Sequence, residues 1–156
     1  MKCSVFKLTK ESAYPDVDDS DFVMLDTLVK TLKHMPILAA YMGWGNIPRQ
    51  LLRSLFPNRY FYFLKKDGKI ITCGQLSTGF CNYYSVDTSD VVIGSIWTDP
   101  NFRKQGLASR SIQAAINYMV IEGWSVFYID TQETNTGMLK SIAKIGFGQP
   151  VEFFNT

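Results

Sequence analysis

The chain is poor in the residues that usually announce chemistry. It has one histidine (His34) and three cysteines in 156 residues. Cys3, Cys73 and Cys81 share no CxxC spacing, and an odd count suits neither a disulfide scaffold nor a zinc knuckle. No metal site is expected. A cysteine nucleophile is disfavoured, since no histidine accompanies it in a recognisable pattern. There is no basic tail, and a formal net charge of +2 is too small for an electrostatic nucleic-acid footprint. No apolar run approaches the roughly 20 residues that span a bilayer, so no membrane partner is expected. The N-terminus alternates and carries charge, as a strand does and a signal peptide does not. Internal repeats, linkers and low-complexity tracts are also missing.

What is present is a core. Hydrophobic residues make up 46% and charged residues 19% of the chain, a balance that argues against disorder. The expectation is one cytoplasmic domain over residues 1–156.

Residues 2–9 read as a strand. Phe22, Leu25, Val29 and Leu32 recur at helical spacing and predict a first helix capped by Asp19 or Ser20. Residues 34–45 are apolar but interrupted by Pro36, Gly43 and Gly45. A second helix starts at Asn46-Ile47-Pro48 and buries Leu51, Leu52, Leu55 and Phe56 before Pro57. Tyr60 to Lys65 and Lys69 to Ser77 form a hairpin about Asp67-Gly68. A Gly-, Ser- and Tyr-rich connection (78–89) leads to a strand over Val91 to Thr98. Ala108 to Val120 mark a helix that Gly123 ends, Val126 to Ile129 a strand covered on both faces, and Asn135 caps a last helix closed by Gly146. Val151 to Phe154 adds a final strand. The order β-α-α-β-β-β-α-β-α-β gives a mixed sheet with helices packed on it, an α/β (α+β mixed sheet) class.

The chemistry sits in Asp99-Pro100-Asn101-Phe102-Arg103-Lys104-Gln105-Gly106-Leu107-Ala108, between a strong strand and a strong helix. A helix N-terminus offers unpaired N–H groups and partial positive charge. Gly106 permits close approach, Ala108 keeps the first turn slim, and Arg103 and Lys104 add cations; the whole suits a pyrophosphate. Neither GxxxxGK[ST] nor the triple-glycine dinucleotide fingerprint occurs.

Thr98 to Ala108 resembles the central motif of the GNAT superfamily of acyl-CoA-dependent N-acyltransferases, [RQ]-x-x-G-x-[GA]. Asn135 followed by an amphipathic helix ending in Lys144-Ile145-Gly146-Phe147 is similar to that family's Asn…Gly-Phe segment. The resemblance is sharp over residues 91–147 and topological before them. It implies a GNAT-like fold, acetyl-CoA or another acyl-CoA as co-substrate, and direct attack by a small-molecule primary amine, an amino-sugar being one option. By that resemblance Ile96, Trp97 and Thr98 offer backbone groups to pantetheine. The N–H groups of Gln105, Gly106, Leu107, Ala108 and Ser109 hold the pyrophosphate beside Arg103 and Lys104, and Asn135 reaches the pantetheine arm. Many members carry a tyrosine four residues before the Gly-Phe pair as acid for the leaving thiolate; here that position is Ile142, and Tyr128 is a substitute candidate. Glu133 and Asp130, at the end of the strand beside the thioester, are candidates for the base, with Glu133 preferred. Trp44, Tyr83 and Tyr84 lie in segments expected to line the acceptor site, which are rich in aromatics and poor in acidic clusters. The alternatives are a non-catalytic acyl-CoA-binding module and transfer to a protein N-terminus or lysine. Oligomeric state is left open, a homodimer being one option.

Overall fold

The computed structural model describes residues 1–156. Seven strands form one mixed sheet: β1 (Lys2–Thr9), β2 (Phe22–Leu25), β3 (Arg59–Lys66), β4 (Lys69–Thr78), β5 (Asp90–Thr98), β6 (Val126–Gln132) and β7 (Glu152–Asn155). Five helices accompany them: α1 (Leu28–Lys33), α2 (Met35–Met42), α3 (Ile47–Arg53), α4 (Leu107–Ile121) and α5 (Thr136–Ile145). The spatial order is β2-β3-β4-β5-β6-β1-β7. Every neighbouring pair is antiparallel except β5 and β6.

Strand alternation sorts the core into two layers. On one face Phe6, Tyr62, Leu76, Val91, Ile93, Phe127 and Ile129 pack against Ile112, Ile116 and Met119 of α4 and Ile142 and Ile145 of α5. On the other, Leu25, Phe61, Phe63, Ile70 and Cys73 meet Leu38 and Ala39 of α2 and Ile47 of α3. Beyond α2 and α3 that second face is closed by the 79–89 connection, whose Tyr84 packs on Val5 and Val92. No helix is long and apolar enough to cross a membrane.

The structure adds a strand and a helix to the order read from the sequence. Phe22 to Leu25 is not the start of a helix but the edge strand β2, paired with Phe61 to Leu64. Four consecutive apolar residues fit either period, and pairing with β3 decides for the strand. The helix proper starts at Leu28 with Thr27 as its cap, the Thr27 hydroxyl accepting from the Lys30 N–H at 3.2 Å. Val29 is therefore 75% exposed. The apolar 34–45 stretch forms α2, with Pro36 in its first turn, where no N–H is missed. Because α2 fills the space over β3 and β4, α3 buries Ile47 and Gln50; Leu52, Leu55 and Phe56, expected inside, are exposed.

The residues between β1 and β2 cross the outside of the α4–α5 layer as a strap. Tyr14 N–H donates to Asn117 Oδ1 at 2.6 Å, and Tyr14 O–H donates to the Ile145 carbonyl at 2.8 Å. Burial pushes the Tyr14 hydroxyl up to about 12, so it stays a donor across the neutral range. Arg110 on α4 faces Asp18 and Asp21 of the strap at 3.6 and 3.7 Å.

Gly74 of β4 lies directly opposite Tyr62 of β3, whose fully buried ring lies over it. A Cβ at position 74 would stand 2.3 Å from the Tyr62 hydroxyl and 2.4 Å from the ring carbon that bears it. The ring is enclosed and has nowhere to retreat. Gly74→Ala is expected to destabilise the fold by about 1–3 kcal/mol, the usual cost of overpacking, measured as a lower urea midpoint with an unchanged m-value.

Candidate functional site

The parallel pairing of β5 with β6 stops at Ile93 opposite Ile129. Just beyond, β5 carries a bulge: Gln75 faces Gly94 and Cys73 faces Trp97, so β5 spends one residue more than β4. Ser95 absorbs the extra residue with φ at 52°, a left-handed conformation uncommon outside glycine. From there β5 follows β4 and β6 follows β1. The facing edges, 94–98 and 130–132, are left without partners across a wedge-shaped cleft of about 400 Å³. Gly94, an isolated glycine inside an apolar strand, was the sequence signal for this bulge.

The cleft passes through the sheet. On the side of α4 and α5 it is lined by Ile96, Thr131, Asn135 and Met138; on the opposite side by Cys3, Asp130, Gln132, Tyr83 and Phe154. Asn135 has two tasks. Its side-chain oxygen caps α5 by accepting from the Met138 N–H at 3.1 Å, and the same residue borders the cleft.

At the end of β5, Asp99 Oδ1 accepts from the Asn101 N–H at 2.8 Å and shapes the turn through Pro100. Lys104 and Gly106 both take positive φ, 63° and 74°, which turns the chain abruptly into α4. No side chain caps that helix and no acidic residue lies in its first turn. Its leading N–H groups, at Leu107, Ala108 and Ser109, therefore face outward without an intrahelical acceptor. Arg103 is held beside the turn, its Nε donating to the Thr98 carbonyl at 3.2 Å. The sequence reading missed Lys144: from the last turn of α5 its Nζ comes within 3.4 Å of where a Gly106 Cβ would stand. A second cleft of about 520 Å³ opens here, between Gln105, Gly106, Lys144 and strap residues Asp16 and Asp18. The helix N-terminus, Arg103, Lys104 and Lys144 thus surround the turn that leads from β5 into α4, an arrangement suited to a diphosphate.

The remaining candidates are distributed as follows. The Trp97 side chain is turned away from α4 and packs on Tyr41 with ring centroids 5.0 Å apart, and its carbonyl is engaged on the β4 side, accepting from the Thr72 hydroxyl at 2.8 Å. Glu133 is 40% exposed and paired with Lys2 at 2.8 Å; it does not line the wedge. Tyr128 lies below the wedge, where β5 and β6 are still paired, with the Lys7 ammonium above its ring. Trp44 is 66% exposed and lines neither cleft. Tyr83 lines the wedge. Tyr84 is buried, and its hydroxyl donates to Asp130 Oδ2 at 3.0 Å. Ile142 is wholly within the core, so its position on α5 offers the wedge no donor.

Asp130 is the carboxylate of the wedge. Burial holds its pKa above the ordinary aspartate value, and the Tyr84 hydrogen bond works against that rise. Burial likewise drives the Tyr84 hydroxyl far above its usual range, so Tyr84 remains a donor.

If the α4 entry is the anion site, Gly106→Ala tests strain and Gly106→Glu tests charge. The alanine variant is expected to lose about 1 kcal/mol of stability from its positive φ and to keep most of its affinity for CoA. The glutamate variant places a carboxylate against the diphosphate, and several kcal/mol of like-charge repulsion corresponds to at least about a 100-fold weaker Kd. Isothermal titration with CoA, beside a thermal melt, separates the two effects.

The fold has counterparts among solved proteins. A GNAT-family protein from Novosphingobium aromaticivorans superposes with a TM-score of 0.59 at 17% identity, over 96% of this chain and 60% of that one; the present chain thus spans less than two thirds of that relative. The aminoglycoside N-acetyltransferase AAC(6')-Iy, solved with CoA, gives 0.61 at 19% identity, over 87% and 93% of the two chains. An aminoglycoside acetyltransferase from an uncultured soil metagenomic sample, solved with sisomicin, gives 0.60 at 16% identity, over 88% and 97%. At such identities the likeness speaks to fold. No curated protein matches the chain. The family model for acetyltransferases of the GNAT family, however, matches residues 29–147, from α1 through the Gly146-Phe147 pair that closes α5. This chain belongs to the GNAT acetyltransferase family.

Proposed function

We propose that the chain transfers an acetyl group from acetyl-CoA to the primary amine of a small molecule, by direct attack within the β5–β6 wedge. The observation that carries this reading is the through-sheet cleft faced by the half-buried Asp130, together with the uncapped helix entry that follows β5. The pyrophosphate lies on the N–H groups of Gln105 through Ser109, flanked by Arg103, Lys104 and Lys144. Pantetheine enters from the α4–α5 side, running along the edge of β5 at Ile96, Trp97 and Thr98 and passing Asn135. The thioester then lies near the bulge, and the amine approaches from the side of Asp130.

An alkylamine is mostly protonated at neutral pH, so the reaction needs an acceptor for its proton before or during attack. Asp130 suits this task. It faces the cleft, its raised pKa makes it a stronger base than an exposed aspartate, and Tyr84 fixes its orientation. The nitrogen lone pair attacks the thioester carbonyl, the tetrahedral adduct collapses, and CoA leaves as a thiolate that takes a proton. No side-chain donor for that thiolate stands out, since Ile142 is apolar, and thiolate is a tolerable leaving group near neutral pH. Glu133, the other candidate base, is tied to Lys2 in an exposed pair.

Asp130→Asn is expected to lower kcat by about 10²–10⁴-fold with the Kd for acetyl-CoA unchanged. Glu133→Gln is expected to stay close to wild type; a large loss there instead would move the base to Glu133. The wild-type rate should fall as pH drops through a pKa above the ordinary carboxylate range. Tyr84→Phe, which removes the hydrogen bond that lowers that pKa, should move the acid limb to higher pH.

The same shift has a sign for stability. A carboxyl whose folded pKa is raised binds more protons folded than unfolded above its ordinary pKa, so it destabilises the fold as pH rises through that window. Asp130→Asn should therefore raise Tm at pH 8, with the gain disappearing as pH falls toward the ordinary aspartate range.

A further inference from the structure

The amine mouth of the wedge has an unusual balance of charge and aromatic surface. Asp130 is the one acidic side chain lining it. Glu133, the next acid along the chain, is already neutralised by Lys2. Around Asp130 stand rings. Tyr83 is stacked on Phe154 with centroids 5.1 Å apart and planes 13° from parallel, and Tyr83 remains 60% exposed. Tyr84 packs against both Phe154 and Tyr128, with centroids 5.9 Å apart in each case. Tyr83 and Phe154, from the 79–89 connection and β7, line the cleft, and Tyr84 and Tyr128 pack beneath them.

We infer that the acceptor is a singly charged primary amine with a flat apolar body, of the arylalkylamine type: its ammonium meets Asp130 and its ring lies on the Tyr83–Phe154 platform. This rests on the amine-transfer reading above and narrows it. A polycation, such as a polyamine or an aminoglycoside, would bring several ammonium groups to a mouth with one carboxylate. Each surplus charge would lose hydration against aromatic surface without gaining an ionic partner, and an unpaired charge is costly to desolvate. An exposed, stacked tyrosine instead presents a face for another ring, an arrangement favourable beyond area burial alone. A single carboxylate beside rings also suits one ammonium, which gains both an ion pair and the negative faces of the aromatics.

The test is steady-state acetylation by the full chain with acetyl-CoA, using phenethylamine, glucosamine, spermidine and neamine as acceptors. The expected result is a kcat/KM for phenethylamine at least tenfold above each of the others. Tyr83→Ala should raise the phenethylamine KM about tenfold with kcat nearly unchanged, the signature of lost ground-state binding. Tyr83→Phe should restore it, and Tm should barely move, because the side chain is exposed. Spermidine or neamine as the best acceptor would overturn the single-charge assignment. Glucosamine as the best acceptor, or a Tyr83→Ala variant with unaltered KM, would overturn the apolar body. Both results would leave amine transfer standing. Tight acetyl-CoA binding with no acetylation of any amine would overturn the transfer reading together with this inference, and absence of turnover across all four acceptors distinguishes that case.

Discussion

One left-handed residue in the middle of a strand shapes the whole site. A parallel pair left in register would seal β5 to β6 along their full length, and the sheet would be a wall. The bulge at Ser95 ends the pairing after Ile93 and Ile129 and sends the two strands apart. The two edges lose each other as strand partners; at their far ends the Thr98 carbonyl accepts from Arg103 Nε and the Gln132 carbonyl from the Asn135 N–H. The wedge is thereby a passage through the sheet, lined by residues of both of its faces.

The layers on either side give the passage its polarity. On the α4–α5 side the uncapped helix entry, Arg103, Lys104 and Lys144 create a positive mouth. The strap from β1 to β2 runs along that mouth and brings Asp16 and Asp18 to its rim, so the cationic field is bounded on one side. On the opposite side the field is set by one half-buried carboxylate among aromatic rings. In the proposed reading a diphosphate is received at the cationic α4 entry and an ammonium at Asp130, with the acyl group between them.

Asp130 shows how the site departs from what stability alone would favour. A half-buried carboxylate with one hydrogen-bond donor is poorly solvated, and the rest of the fold compensates with a continuous core from Phe6 to Phe147. The same burial that weakens the fold at high pH makes Asp130 a better proton acceptor near neutrality.

What the sequence determined by itself was whatever depends on neighbours in the chain. The strand–turn–helix of Thr98 to Ala108, the Asn135 cap, the Asp67-Gly68 hairpin and the periodicity of α4 and α5 are all local, and their residues specify them within a few positions. Those segments contain the proposed diphosphate loop, so that half of the candidate site was legible. The other half was assembled by long-range pairing. Asp130 meets Tyr84 across 46 residues, Tyr83 meets Phe154 only because β7 returns beside β1, and Lys144 reaches Gly106 because α5 lies against α4. Phe22 to Leu25 became a strand, and Leu52, Leu55 and Phe56 were left outside, because β3 offered an edge and α2 had already covered it. Local propensity cannot register such competition, since an apolar residue carries no record of which surface will bury it; only the completed sheet decides.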